Sequence, residues 1–344
     1  MNYSEVLGHA REIMRPQGLC HVCDICDGRA CGNRMPGPGA KGLGDGARQN
    51  YEAWRRVRLN LDTISENITP DLSIELFGRH FSLPVFAGPV RGVASNYGGS
   101  MDDIAYNHEL IPGCAGAGSA AFVGDPLNDE VQKNAVEDMK KVGGCAIPTI
   151  KPWDMNTVEQ KLKMVVDGKA FAAAMDIDAA GLPFLKNCTP PSGPKSVEEL
   201  SEIIRLAGVP FILKGIMTVR GAQKALKAGA AGIVVSNHGG RVLDQTLPTA
   251  QVLPLIANEM RGSGLKIFVD GGIRCGADVL KALALGADGV LIARPVSVAV
   301  YGAGADGVQA YIDHIGDELS DAMLMCGVHS ISEICADCVG YLAH

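Results

Sequence analysis

The stretch that decides the fold lies between residues 209 and 293. It holds Val209-Pro210-Phe211-Ile212-Leu213-Lys214, Gly232-Ile233-Val234-Val235-Ser236, Lys266-Ile267-Phe268-Val269-Asp270 and Gly289-Val290-Leu291-Ile292-Ala293. Each run is short, continuously apolar and closed by a polar or small residue, which predicts a parallel strand buried on both faces. Helical stretches separate them, at 218–228, 249–260 and 277–285. The unit repeats. Lys224-Ala225-Leu226-Lys227-Ala228-Gly229-Ala230-Ala231-Gly232 recurs as Lys281-Ala282-Leu283-Ala284-Leu285-Gly286-Ala287-Asp288-Gly289, about two βα units further on. Working outward, 84–87, 119–123, 145–150 and 170–175 complete a set of eight strands. Eight strands alternating with helices predict an α/β protein of the (β/α)₈ TIM-barrel type. No dinucleotide fingerprint follows the first strand, so an open doubly wound sheet fits less well.

The 344 residues are enough for one such barrel, and 47% hydrophobic against 20% charged residues excludes a disordered chain. A net charge of −7 argues against nucleic acid or an anionic membrane as partner. No apolar run is long enough to span a bilayer, and the first residues lack signal-peptide character, so a cytoplasmic protein is expected. The chain divides by composition. Residues 1–50 form a Cys/Gly-rich N-terminal extension, with Pro36-Gly37-Pro38-Gly39-Ala40-Lys41-Gly42-Leu43-Gly44 reading as a loop or strap, and 51–344 form the barrel.

Chemistry is expected where strands end. After the sixth strand comes Ser236-Asn237-His238-Gly239-Gly240-Arg241. A histidine there can exchange protons, the glycines let backbone approach a flat ligand, and Arg241 offers a fork for a carboxylate. After the seventh and eighth strands come Asp270-Gly271-Gly272-Ile273-Arg274 and Ala293-Arg294. Loops at these two places are the recurrent phosphate site of the architecture, and Arg274 and Arg294 add charge-assisted donors. A third group is Cys20-x-x-Cys23-x-x-Cys26-x₄-Cys31. Its spacing approaches a ferredoxin-type run, with tetrahedral zinc or plain reduced thiols as alternatives. A signal-less chain with 11 cysteines is not expected to hold a disulfide framework.

The text from about 205 to 334 resembles the FMN-dependent α-hydroxy-acid oxidases and dehydrogenases, a family that includes glycolate and lactate oxidases. Leu213-Lys214-Gly215, the histidine motif, and Phe268-Val269-Asp270-Gly271-Gly272-Ile273-Arg274 carry the likeness, with a weaker match from Arg48-Gln49-Asn50 through Pro84–Pro89. The resemblance implies FMN as cofactor, a small 2-hydroxy acid as substrate and a homo-oligomer, a tetramer by family precedent. It implies that His238 is the base, that Asp176 is its carboxylate partner, and that Lys214 lies beside the flavin. It gives Arg241 to the substrate carboxylate. FMN contacts are implied at Ala87, Gly88, Pro89, Ser236, Asp270, Gly271, Gly272, Arg274, Ala293 and Arg294. The family's Gln-x-Tyr on the third strand is absent, as are its second substrate arginine and N-terminal tyrosine. In the rebuilt substrate pocket this leaves, Lys151 is expected to supply a replacement charge, with a plain surface lysine as the alternative. Two other functions remain open: an isomerase resembling type 2 isopentenyl-diphosphate isomerases, and a flavin-binding protein without turnover.

Overall fold

The computed structural model describes residues 1–185, 188–189 and 191–342. Eight parallel strands close into a barrel: β1 (Val85–Ala87), β2 (Ala121–Gly124), β3 (Ala146–Ile150), β4 (Ala173–Asp176), β5 (Phe211–Ile216), β6 (Gly232–Val235), β7 (Lys266–Val269) and β8 (Gly289–Ile292). Closure is made by β8 pairing with β1, with Val290 opposite Val85 and Ile292 opposite Ala87. All eight strands and the three helices between β5 and β8 fall where the sequence puts them, within one to three residues. The repeat holds as well, since Val219–Lys227 and Gly276–Ala284 are equivalent helices.

Period-two alternation sorts the strand residues. One residue per strand, Phe86, Phe122, Ile147, Ala174, Ile212, Val234, Phe268 and Leu291, belongs to the core inside the barrel. Their neighbours, such as Val85, Ala121, Met175, Leu213, Ile233 and Val290, pack outward under the helices. The lower end is filled by Phe81, Phe86, Phe122 and Phe268, with ring centroids 5.2–6.4 Å apart and mostly edge-to-face. Phe81 comes from an antiparallel hairpin, Ile74–Leu76 with Arg79–Phe81. Two residues above the inner layer, the same alternation brings Gly88, Asp176, Lys214, Ser236, Asp270 and Ala293 to the opposite end. The site therefore sits on an apolar plug.

The N-terminal segment spans the outside of this barrel. Helix Tyr3–Met14 buries Val6, Ala10 and Met14, and a Cβ on Gly302 of helix Arg294–Met325 would lie 2.4 Å from the Val6 carbonyl. That long helix breaks at Ala303 and Gly304, where the Glu109 carboxylate accepts from the freed Ala305 N–H at 2.8 Å. Helix Asp45–Arg56 crosses the compositional division at residue 50 without interruption. No helix among the described residues is long and apolar enough to cross a membrane.

Candidate active site

The floor of the mouth is a buried charge set. Lys214 Nζ lies 3.1 Å from Asp176 Oδ1 and 3.5 Å from Asp270 Oδ2, and it donates to Ser236 Oγ at 3.2 Å. Lys151 donates to the other Asp176 oxygen. Burial alone would raise the Asp176 carboxyl, but Lys151 and Lys214 outweigh it and hold the group well below the usual carboxylate range. Burial would likewise discharge Lys214, yet Asp176 and Asp270 keep it above its ordinary value. Asp176 and Lys214 are therefore both ionised at neutral pH.

The histidine's partner is Asp178, which corrects the assignment of Asp176. Asp178 Oδ1 lies 3.0 Å from His238 Nδ1. The cause is the turn after β4. Asp176 ends the strand pointing inward, and the 3₁₀ turn Ile177–Gly181 brings Asp178 across to the loop after β6. Gly215 leaves room for it, since a Cβ there would lie 2.5 Å from Asp178 Cγ. Assigning the Nδ1 hydrogen to this bond leaves Nε2 as the free ring nitrogen. His238 adopts φ +55, left-handed and costly for a side chain of its size, followed by Gly239 at +63. Its N–H donates to Ser236 Oγ at 3.1 Å, and Asn237 Oδ1 accepts from Gly239 at 3.1 Å.

The two glycines of the motif have different reasons. A Cβ on Gly239 would meet nothing nearer than an Arg294 nitrogen at 3.6 Å, so this glycine opens onto the cavity. Gly240 packs 3.0 Å from Gly46 Cα and 3.1 Å from Ala40 Cβ by the same measure, so it admits the strap. Arg241 lines the cavity too. Two of its nitrogens are already committed, donating to the Gly37 and Gly39 carbonyls at 2.6 and 2.9 Å and to Asn96 Oδ1 at 3.2 Å. It pins the strap while lending charge to the mouth. Lys151 also lines the cavity, but its ammonium belongs to Asp176, and its backbone N–H donates to Asp125 Oδ2 at 2.9 Å. Trp153 Nε1 donates to that same oxygen at 2.6 Å.

Gly88, Pro89, Gly271, Gly272, Arg274, Ala293 and Arg294 share this cavity with His238, Lys214 and Asp270. Ala87 and Ser236 are buried just behind its wall. Asp270 Oδ1 and Arg294 NH1 are buried with no partner. Orphaned groups of that kind, an acceptor and a cationic donor, are costly unless a ligand completes them. A polyol hydroxyl and a phosphate would do so, and the residues fit FMN on that ground. Gly271 and Gly272, at φ +88 and +87, answer a second demand. A Cβ on Gly272 would lie 2.6 Å from the Asn50 carbonyl, so the loop is glycine partly because helix Asp45–Arg56 presses on it.

That contact gives roles to residues to which the sequence alone assigns none. Asn50 and Asn237 exchange amide hydrogen bonds at 2.7 and 3.0 Å, and Trp54 Nε1 donates to the Gly271 carbonyl at 2.8 Å. Arg91, just after β1, is a further cation of the mouth, donating to the Asp125 carbonyl at 3.2 Å and lying 5.6 Å from the Phe184 ring centroid. Its place two residues after Pro89 was the available signal. Tyr97 completes this side, its phenol pushed up to about 12 by burial.

Cys20, Cys23, Cys26 and Cys31 lie together around a second cavity of about 280 Å³, and none is in a disulfide. Arg274 and Arg294 border both cavities, and Arg274 Nε donates to the Cys26 carbonyl at 2.6 Å. Burial pushes the Cys20 thiol up to about 11. Burial would raise Cys26 as well, but Arg274 and Arg294 outweigh it and hold that thiol below its ordinary value. Among the described residues, only Asp176, Asp178 and His238 place three ligand-type atoms within 4.8 Å of one another. Asp176 there is already neutralised by two lysines, so that trio is an ion-pair network.

Fold and site together define a (β/α)₈ barrel protein with a histidine–aspartate pair and a buried lysine on one cavity with Arg274 and Arg294. The chain belongs to the FMN-dependent dehydrogenase family, whose pattern matches residues 38–178 and 189–340. It is 46% identical over 138 residues to a 4-hydroxymandelate oxidase of Amycolatopsis orientalis, covering 40% of this chain and 38% of that protein. An L-lactate dehydrogenase of Xanthomonas euvesicatoria pv. vesicatoria (strain 85-10) is 49% identical over 128 residues, 37% of this chain and 33% of the other. The match thus spans 38% and 33% of the two curated relatives. Over the whole chain, the structure is similar to a mandelate oxidase variant with 2-hydroxy-phenylacetamide, with TM-score 0.78 and 26% identity, covering 99% of this chain and 98% of that one. A flavocytochrome b2 variant has the same fold, with TM-score 0.77 and 24% identity over 88% of this chain and 80% of that one.

Proposed function

We propose that the protein is an FMN-dependent oxidoreductase that converts a small 2-hydroxy acid to the 2-oxo acid. The observation that carries this reading is the His238–Asp178 pair at 3.0 Å on the same cavity as Lys214. Bound FMN supplies a two-electron acceptor. Asp270 and Arg294 would hold its polyol and phosphate, with Arg274 adding charge at that end. His238, through Nε2, takes the proton that the substrate loses, and Asp178 favours the imidazolium that results. Lys214, kept charged by Asp176 and Asp270, favours negative charge developing beside it. Arg91 and Arg241 supply the positive field for the substrate carboxylate. Lys151 supports Lys214 indirectly, by sharing Asp176. The family resemblance also supports a homotetramer, which light scattering would read.

Anaerobic mixing of the flavinated protein with lactate, glycolate and mandelate tests the reading. Bleaching of the visible flavin band by at least one of them is expected, and a His238→Ala variant should retain flavin while reducing about 10²–10⁴-fold more slowly. A flavin that no 2-hydroxy acid reduces would instead favour the isomerase or a protein without turnover.

A further inference from the structure

We propose that Cys20, Cys23, Cys26 and Cys31 hold a polynuclear iron–sulfur cluster in the cavity they line, on the outer side of Arg274 and Arg294. Three observations on the structure converge on this, and none depends on the flavin reading.

The first is convergence. The four cysteines are spread over 12 positions of a loop without regular structure, and yet all four border one cavity. Val22 at φ +44 and Gly28 at φ +85 turn the chain between them. Gly28 suits the positive φ, and a Cβ there would also crowd Ala47 and Arg48 at 3.1–3.3 Å. The loop is thereby pressed onto helix Asp45–Arg56 with its cysteines facing inward.

The second is size. Tetrahedral zinc with Zn–S near 2.3 Å needs sulfurs roughly 4 Å apart and closes on itself. No three of these thiols come within 4.8 Å of one another, and the cavity they border together with other residues measures about 280 Å³. A water-sized occupant needs only ~10–15 Å³ on such a measure. In a four-iron, four-sulfide cluster each thiolate binds a different iron, so the ligands stand further apart around a larger guest.

The third is charge. Four thiolates around a cluster leave net negative charge in a part-buried site, which must be compensated. Arg274, Arg294 and Arg55 border the cavity against two carboxylates, Asp24 and Glu318, and Leu7, Val298 and Tyr311 are among its apolar and aromatic wall groups.

The test uses the full chain, purified without oxygen and reconstituted with ferrous iron and sulfide. About four iron and a similar amount of acid-labile sulfide per chain are expected, with a broad visible absorbance beneath the flavin and an EPR signal after dithionite. A Cys20→Ser/Cys23→Ser variant should lose at least about fivefold of both, at unchanged flavin content. Should that variant fail to fold, alkylation of the wild type decides. The four thiols should resist iodoacetamide when loaded and react after chelation. Stoichiometric zinc without sulfide, no bound metal, or iron indifferent to the cysteines would each overturn the proposal. Because flavin is counted separately, loss of the cluster and failure of the flavin reading are distinguishable.

Discussion

Asp176 and Asp178 differ by two positions and do different work. Asp178 orients the histidine, whereas Asp176 balances two lysines. Asp178→Asn should leave flavin bound and slow its reduction by roughly 10²–10⁴-fold, because the ring loses the charge that favours its protonated form. Asp176→Asn should act first on stability, costing about 3–5 kcal/mol at pH 7 by leaving two buried ammonium groups against one neutral amide. Its pH dependence follows from the direction of the shift. A carboxyl depressed in the folded state stabilises above its unfolded value, ~4, and loses that contribution as pH falls further. The gap between variant and wild type in urea unfolding should therefore shrink below pH ~4. A gap that stays constant down to pH ~2 would contradict the ion-pair account. The sequence showed His238, Lys214 and an acidic partner on the fourth strand's end. It could not show which aspartate, because the choice is made by the turn Ile177–Gly181 and by the space above Gly215.

At the scale of elements, the strands were legible because each is buried on both faces and so is written in unbroken apolar residues. The reason for the glycines was only half legible. Gly239 faces the cavity as a ligand-binding glycine should, but Gly272 is also required by the backbone of a helix more than 200 positions away. Long-range contacts of this kind leave no local pattern. Two substitutions separate the causes. Gly272→Ala and Gly239→Ala both place a side chain at positive φ, a conformational cost of about 1–2 kcal/mol each. Only the first also drives a Cβ to 2.6 Å from the Asn50 carbonyl. Gly272→Ala should accordingly unfold at a temperature several degrees lower than Gly239→Ala. Equal melting temperatures would mean that helix Asp45–Arg56 yields freely and that the ligand alone explains the glycine.

At the scale of the whole molecule, the N-terminal segment is the outer wall of the site. Its strap is joined to the loop after β6 by Lys41, whose backbone donates to the Gly240 carbonyl at 3.0 Å and whose ammonium donates to Val242 at 3.1 Å. Arg241 holds Gly37 and Gly39, and Asp244 accepts from Leu43 N at 2.7 Å and Gly46 N at 3.2 Å. Composition marked this segment as a strap, but nothing local to it names the residues that fasten it. Asp244 is the place to test the fastening, because its carboxylate reaches only backbone donors of the strap and its hinge. Asp244→Ala removes two hydrogen bonds to a charged acceptor, each worth about 1.5–3 kcal/mol. That loss falls on the local opening of residues 36–46, since the barrel strands keep every contact. Limited proteolysis should then cut within the strap at least tenfold faster, and flavin should leave more quickly on dialysis, while the far-ultraviolet circular dichroism stays that of the parent. Unchanged cleavage would show that Lys41 and Arg241 suffice to hold the strap.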